Sequence, residues 1–252
     1  MRRLNLAEGV LVLMGFLLLL KLLKEFLIMR FIDIHSHSIS SVNFTIISID
    51  PRNIDLDEMN TPFSIGLHPW WIDQLDLASF YSHLPGYLSH PNCMALGEVG
   101  LDRSRGDFDK QLEVFEGQLR VAGLTNIETV VLHCVRSFNE IISLIKKTNY
   151  SGNLVFHDFN GNREIVESLL KLPCFFSYGS KLFEPNSKGF KVFKEIPIDR
   201  LLFETDDSEE RRIEEVYAKA SCLLSLELNE LCDKISDNFG KCFGKKAYIE
   251  NS

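Results

Sequence analysis

The chain has six cysteines but no C-x-x-C pair, and it has no low-complexity tract. These absences exclude a structural zinc knuckle and a disulfide scaffold. A hydrophobic content of 45% also excludes an intrinsically disordered or collagen-like chain. Several cysteines lie in apolar runs, which is typical of buried free thiols in a reducing compartment. We therefore expect a globular, cytoplasmic protein.

The chain also lacks an excess of basic residues. Its 27 Lys and Arg face 35 Asp and Glu, which gives a formal net charge of −8. This balance argues weakly against a broad basic face that grips long nucleic acid. The charge is uneven, because residues 1–30 contain five basic and two acidic residues, so the remainder is more acidic than the whole.

We interpret residues 1–29 as an apolar amino-terminal extension and residues 30–252 as the folded domain. The longest hydrophobic run of the extension is Val10–Leu20, in which every residue except Gly15 has an apolar side chain. It is about half as long as the roughly 20 residues that a helix needs to span a bilayer.

Three interpretations of this extension stay open. A secretory signal is the least favoured interpretation. The hydrophobic run is interrupted by Lys21, Lys24 and Glu25, and no small-x-small cleavage site follows it. A weak membrane association through residues 10–28 would make the protein anchored at the inner membrane. We prefer a translation start at Met29, with the preceding residues misassigned.

After residue 30, short apolar runs alternate with polar loops and helical patterns. Eight of these runs are predicted as strands, and their continuous hydrophobicity is typical of strands buried on both faces of a parallel sheet. The predicted strands are Phe31–His35, Phe44–Ile49, Phe63–Leu67, Cys93–Leu96, Thr129–His133, Asn153–His157, Cys174–Tyr178 and Leu201–Glu204.

Helical periodicity fills most of the intervals between these strands. The predicted helices are Phe108–Val121, Ser137–Lys147, Arg163–Lys171, Ile213–Leu224 and Glu227–Phe243. This alternation predicts an α/β fold, namely a TIM (β/α)8 barrel. The interval Ser36–Asn43 is too short for a crossover helix, so we expect an irregular barrel with a shortened first βα unit.

Polar side chains follow several of the predicted strands at the point where each strand ends. His35 and His37 lie two residues apart, so their side chains share one face of the first strand. Four further residues end later strands or follow them closely: Glu98, His133, His157 and Asp206. Because the carboxyl ends of barrel strands meet at one mouth, we expect all six side chains to converge there.

A single histidine at a strand end is usually a hydrogen-bonded residue, and a single acid in a βα loop usually caps the next helix. Here, however, five of the seven histidines lie at strand ends, and coincidence explains that pattern poorly. These five are His35, His37, His68, His133 and His157. Four imidazoles with two carboxylates suit divalent metals such as Zn²⁺, Mn²⁺, Co²⁺ or Ni²⁺, and Mg²⁺ is a further candidate. One bridging acid with histidines on either side favours two ions that activate a water molecule.

The order and spacing of six motifs resemble the TatD family of metal-dependent hydrolases, within the amidohydrolase-like barrels. The resemblance runs from Phe31 to about Phe243. The motifs are Phe31-Ile32-Asp33-Ile34-His35-Ser36-His37, Gly66-Leu67-His68-Pro69, Gly97-Glu98-Val99-Gly100-Leu101-Asp102, Leu132-His133-Cys134-Val135-Arg136, Phe156-His157-Asp158-Phe159-Asn160-Gly161 and Glu204-Thr205-Asp206.

The resemblance implies a two-metal deoxyribonuclease with 3′–5′ exonuclease action on DNA ends or short oligonucleotides. It also implies a division of the ligands: one ion is held by His35, His37 and Asp206, the other by His133 and His157, and Glu98 bridges the two. Asp206 would in addition orient or deprotonate the attacking water.

Three further residues are given supporting roles. Asp33 is expected to support the metal ligands from the same strand face. His68 and Arg136 are candidates for holding a substrate phosphate, for which an arginine fork is well suited. The alternative for Arg136 is a salt bridge at the start of its helix.

Two other functions remain open at this point. A small-molecule amidohydrolase or esterase would use the same metals on a carbonyl group, and an acidic surface suits it better than it suits a nuclease. A non-catalytic binding scaffold is disfavoured, because it has little need for four inward-facing histidines. The nuclease hypothesis requires a local basic cluster that binds a few phosphates. Its members are Arg103, Arg105, Arg136, Lys181 and Lys188. The sequence leaves the oligomeric state open.

Overall fold

The computed structural model of the protein describes residues 31–39, 43–53, 59–208 and 210–244. The predicted extension at 1–29, including the candidate anchor at 10–28, lies outside the described residues. In the part of the chain that is described, no helix is both long and apolar enough to cross a membrane.

Eight parallel strands form a single sheet in which each strand pairs with the next one along the chain. The strands are β1 (Ile32–Ser36), β2 (Phe44–Ile49), β3 (Phe63–Ile65), β4 (Cys93–Asp102), β5 (Thr129–Val135), β6 (Asn153–Phe156), β7 (Cys174–Tyr178) and β8 (Leu201–Phe203). The sheet closes where the chain leaves β8: the Asp206 N–H donates to the His35 carbonyl at 2.9 Å, and the His37 N–H donates to the Asp206 carbonyl at 3.1 Å. The predicted TIM barrel is confirmed.

Helices follow the strands from β3 onward. They are α1 (Leu77–Leu88), α2 (Phe108–Ala122), α3 (Phe138–Thr148), α4 (Arg163–Leu169), α5 (Lys188–Val192), α6 (Ile213–Leu224) and α7 (Leu228–Phe243). Between β1 and β2 the described residues form no helix, and after β2 there is a 3-10 turn at Pro51–Asn53. The first βα unit is therefore shortened, as the short interval in the sequence predicts.

The strands form the core because almost every strand side chain is buried. Val130, Val131 and Leu132 of β5, for example, have no exposed surface. Four of the six cysteines are buried here as free thiols: Cys93, Cys174, Cys232 and Cys242. Cys134 is partly buried and Cys222 is exposed, so the expectation of buried thiols holds for most of the cysteines but not for all.

Strand β4 is much longer than predicted. The apolar run ends at Leu96, but the strand continues through Glu98 to Asp102. Its continuation depends on Gly100, which has φ +143° and lies so close to β5 that a Cβ there would be 2.1 Å from the His133 carbonyl oxygen. Glycine alone tolerates both the positive φ and the close approach of the β5 backbone. Glycine usually weakens a strand, but here it allows β4 to continue beside β5.

Replacing Gly100 with alanine is expected to lower the free energy of unfolding by about 3 kcal/mol, because the new Cβ meets backbone in a strained conformation. Urea denaturation would measure the change. Gly106→Ala is the matched control, since a Cβ at Gly106 meets no atom within 4 Å. Equal denaturation midpoints for the two variants would contradict this account of β4.

Candidate metal centre

The carboxylate of Glu98 lies at the centre of the predicted cluster. Its Oε1 is 2.7 Å from Nδ1 of His133 and 2.7 Å from Nε2 of His157. Its Oε2 faces the other way and lies 3.4 Å from Nε2 of His35. The two oxygens of one buried carboxylate therefore face histidines of two different groups, which is the arrangement that a bridging ligand requires.

The first group comes from β1 and from the segment after β8. Nε2 of His35 and Nε2 of His37 each lie 3.5 Å from Oδ1 of Asp206. Asp206 has a left-handed φ of 56°, and its backbone hydrogen bonds to the His35 carbonyl and the His37 N–H hold it against β1. The barrel closure and this group of side chains are thus formed by the same residues.

Asp33 stabilises this junction without touching an imidazole. One carboxylate oxygen accepts hydrogen bonds from the Thr205 and His35 backbone N–H groups, at 3.1 and 3.3 Å. The other accepts from the Thr205 hydroxyl at 2.6 Å. Asp33 therefore fixes the residue that precedes Asp206, which gives a physical form to its predicted supporting role.

The second group is held from behind by two further carboxylates. Nε2 of His133 lies 3.6 Å from Oδ2 of Asp102, and Nδ1 of His157 lies 3.6 Å from Oε1 of Glu204. A carboxylate on the far ring nitrogen is the usual way to orient a metal-binding histidine. Both acids lie within the sequence motifs named above, but those motifs alone assign neither of them a role. Their position beside predicted ligands at the strand ends was the available signal.

Two glutamines of α2 fix the loops that carry this site. The Gln111 side chain accepts from the Asp102 N–H at 2.8 Å and donates to the Asp102 carbonyl at 3.1 Å. Further along the helix, the Gln118 side chain accepts from the N–H of Leu67, the residue before His68, at 2.7 Å. It also donates to the Leu67 carbonyl at 3.1 Å. Both glutamines are buried, so α2 positions the backbone of β4 and of the loop after β3.

His68 joins the cluster with a defined tautomer. The Trp70 backbone N–H donates to its Nδ1 at 3.2 Å, which assigns the ring proton to Nε2. That nitrogen lies 3.2 Å from Oε1 of Glu98. A nitrogen that carries a proton donates a hydrogen bond and does not ligate a metal, so this geometry favours an anion-binding role for His68.

Arg136 follows β5 directly, with a left-handed φ of 54°, and its side chain is exposed. Within the described residues, no carboxylate forms an ion pair with its guanidinium, so the salt-bridge alternative has no partner there. Two other members of the predicted basic cluster are engaged: Arg103 pairs with Glu140, and Lys181 lies 3.2 Å from a carboxylate oxygen of Asp158.

The side chains present fit a divalent cation. Both ring nitrogens of His35 are buried without a hydrogen-bond partner, although Nε2 faces two carboxylate oxygens. Two sets of side chains that exclude His68 bring their ligand atoms within 4.8 Å of one another: His35, His157 and Asp206; and His35, His37 and Glu98. A cation among mixed imidazole and carboxylate donors would satisfy the unpartnered nitrogen.

The imidazoles and carboxylates shift one another's protonation. Burial acts to raise the pKa of Glu98, but the facing histidines, His157 above all, outweigh it and hold that pKa well below its usual range. Burial acts to lower the pKa of His157, but Glu98 and Glu204 raise it well above its usual value. The pKa of His35 is raised to about 9, since the Asp206 and Glu98 carboxylates outweigh burial and the charge of His157.

With this geometry established, comparison with known proteins identifies the family. A family model described as TatD related DNase matches residues 51–244. The chain belongs to this TatD family. The resemblance seen in the motifs is therefore confirmed, and the matched region includes Glu98, His133, His157 and Asp206.

Two curated relatives carry hydrolase names. The chain is 30% identical over 148 residues to the uncharacterized metal-dependent hydrolase YabD of Bacillus subtilis, covering 57% of each chain. It is 28% identical over 155 residues to a putative deoxyribonuclease TATDN1 homolog of Vairimorpha ceranae, covering 60% of this chain and 53% of that protein. The chain thus spans little more than half the length of these two relatives.

A solved structure of a TatD homolog, YJJV of Escherichia coli K12, has the same fold. It superposes with a TM-score of 0.75 and covers 86% of this chain and 99% of its own, at 23% sequence identity. At this level of identity the likeness concerns the barrel alone.

Divalent metal binding is expected to strengthen steeply as pH rises. The raised pKa values of His35 and His157 mean that both rings hold protons at neutral pH, and a metal ion must displace them. The apparent association constant for Mn²⁺ should therefore rise by about ten- to 100-fold per pH unit between pH 6 and pH 8. The rise should level off above about pH 9, where His35 loses its proton.

Isothermal titration calorimetry in two buffers of different ionisation enthalpy would count the released protons. His83→Gln is the control, because His83 is exposed on α1 and lies outside the cluster. An Mn²⁺ affinity that stays constant from pH 6 to pH 8 would show that these rings are not displaced by the ion.

Proposed function

We propose that the protein is a divalent-metal-dependent phosphodiesterase that acts at DNA ends or on short oligonucleotides. The observation that carries this proposal is the position of Glu98, whose two carboxylate oxygens face separate groups of histidines. Membership of the TatD related DNase family and the relative named a putative deoxyribonuclease support the choice of a phosphodiester substrate.

In this proposal two divalent ions are held by the side chains that surround Glu98. His35, His37 and Asp206 would hold one ion, His133 and His157 the other, and Glu98 would contact both. Such ions supply Lewis acidity at the phosphate and lower the pKa of a bound water. The residues suit Zn²⁺, Mn²⁺, Co²⁺, Ni²⁺ or Mg²⁺.

Asp206 would orient or deprotonate the attacking water. Its side chain is 29% exposed, against 9% for Glu98, so it is the carboxylate of the centre that solvent can reach. Hydrogen-bonded and charged neighbours, His35 and His37 among them, outweigh its burial and hold its pKa below the usual range. It is therefore charged at neutral pH and able to bind the water as an acceptor.

His68 and Arg136 contact the substrate phosphate. The proton on Nε2 of His68 already faces an anion, the Glu98 carboxylate, from a nearly buried ring. The Arg136 guanidinium is exposed at the end of β5, the strand that carries His133. One donor from inside the cluster and one from its rim would hold a phosphate between them.

Cleavage of 5′-labelled single-stranded DNA and of bis(p-nitrophenyl) phosphate tests the function directly, with Mg²⁺, Mn²⁺ or Zn²⁺ added. Asp206→Ala and Glu98→Gln should each lower kcat/KM by about 100-fold or more, because each removes a group that binds or activates the water. His83→Gln should behave like the wild type. Activity that survives both substitutions, or that ignores a chelator, would refute the mechanism. Hydrolysis of esters or amides but never of a phosphodiester would favour the amidohydrolase alternative.

His68→Gln separates phosphate binding from metal binding. Loss of a hydrogen bond to a charged group should lower kcat/KM by about ten- to 150-fold. The Mn²⁺ affinity, measured by calorimetry, should change less than about threefold. His157→Gln is the comparison, since loss of a ligand should weaken Mn²⁺ binding itself. A loss of Mn²⁺ affinity in His68→Gln equal to that in His157→Gln would make His68 a ligand.

A further inference from the structure

Both tryptophans of the chain contact His68, each with its ring centroid 5.1 Å from that of the imidazole. Trp71 is partly buried, but Trp70 is 45% exposed. The Trp70 indole is nevertheless held in place, because its Nε1–H donates to Oδ2 of Asp102 at 2.7 Å. A large aromatic ring is thus both fixed and open to solvent at the edge of the metal centre.

Arg105 lies over this ring. Its guanidinium carbon is 4.1 Å from the Trp70 ring centroid, and its side chain is exposed. Among the described residues, no carboxylate forms an ion pair with Arg105, whereas the neighbouring Arg103 pairs with Glu140. The stacked tryptophan and arginine therefore offer a planar aromatic surface together with an uncompensated positive charge.

This stacked pair adjoins the residues of the proposed reaction. The Trp70 ring centroid is 5.1 Å from that of His68 and 6.0 Å from that of His133. A cavity bounded by His37, His68, Trp71 and Glu98 has a volume of only about 40 Å³. Pockets that enclose a drug-sized ligand are about 300–1,000 Å³, so a nucleobase does not fit into this cavity.

We propose that Trp70, with Arg105 stacked on it, is a platform for the nucleobase next to the scissile phosphate. Aromatic rings and arginine planes both stack with nucleobases, and they do so with little regard to sequence. Stacking requires an unpaired base, so the platform selects single-stranded ends. This inference rests on the proposed phosphodiesterase function and names the part of the substrate that the protein recognises.

Trp70 has a second contact that the test must separate from stacking. Its Nε1–H binds Asp102, which in turn lies 3.6 Å from His133, so Trp70 could act only by positioning that histidine. Trp70→Phe removes the N–H donor but keeps an aromatic ring, whereas Trp70→Ala removes both. Stacking therefore predicts that the two variants differ, whereas positioning of Asp102 predicts that they behave alike.

The experiment compares pentathymidylate with two modified pentamers. One carries an abasic sugar at its 5′ end, and the other carries it at its 3′ end. Stacking predicts that the wild type prefers the intact end by about five- to 150-fold in kcat/KM. Trp70→Ala should reduce this preference to within about twofold, and Trp70→Phe should keep most of it. Leu124→Ala, which removes an apolar side chain that is 88% exposed, is the matched control and should keep the full preference.

Fluorescence gives a readout that does not depend on turnover. In Trp71→Phe the single remaining tryptophan is Trp70, so the emission reports on the surroundings of that ring. A phosphorothioate pentathymidylate, which resists hydrolysis, should quench this emission, and the fully abasic phosphorothioate backbone should not. A matched pentaribonucleotide distinguishes RNA from DNA as the source of the base.

Equal preference in the wild type and Trp70→Ala, or no quenching by the intact oligonucleotide, would overturn the platform. A Trp70→Phe variant that behaves like Trp70→Ala would assign the residue to positioning Asp102. Cleavage of bis(p-nitrophenyl) phosphate by the wild type would in those cases leave the proposed function standing. If no phosphodiester is cleaved under any condition, the proposed function fails and the platform's place beside a scissile phosphate fails with it, whereas base-dependent quenching would then show only that Trp70 binds a nucleobase.

Discussion

The structure depends on keeping one buried carboxylate, that of Glu98, charged. Burial alone would favour its neutral form, because an isolated charge in the protein interior costs several kcal/mol. Histidines of β1 and β5, and the histidine directly after β6, surround it and hold its pKa well below the usual range. These strands are far apart in the sequence, and only closure of the barrel brings all of them to one carboxylate. The electrostatic requirement of Glu98 and the topology of the sheet are therefore one constraint.

Outside the histidines that surround Glu98 lie further carboxylates, so acidic and imidazole groups alternate outward from the centre. Behind the imidazoles of His133 and His157 lie the carboxylates of Asp102 and Glu204, and the Asp102 carboxylate is held in turn by the Trp70 indole. Each layer fixes the orientation of the one inside it, so a ring nitrogen is aimed at the centre before any ion arrives. Such preorganisation reduces the entropy that ligand binding must overcome.

The sequence predicts the elements better than it predicts the contacts between them. All eight strands are predicted because a strand that is buried on both faces has a continuous run of apolar residues. The convergence of His35, His133 and Glu98 is predicted because each lies at or near the carboxyl end of such a run. The length of β4 is missed because it depends on the distance between Gly100 and β5, which no local pattern records. The tautomer of His68 is missed for the same reason, since a backbone N–H two residues away decides it.

The acidity of the chain takes on a different meaning once the site is described. A net charge of −8 disfavours a long electrostatic grip on nucleic acid, and two of the five residues in the predicted basic cluster are already paired with acids. A protein of this charge needs recognition that is short in range and partly independent of phosphate. Stacking on Trp70 has that character, because dispersion and ring electrostatics act at contact and are screened little by salt. If the proposed platform is correct, an acidic barrel with an aromatic rim would suit short, single-stranded ends, where one base and one phosphate are enough.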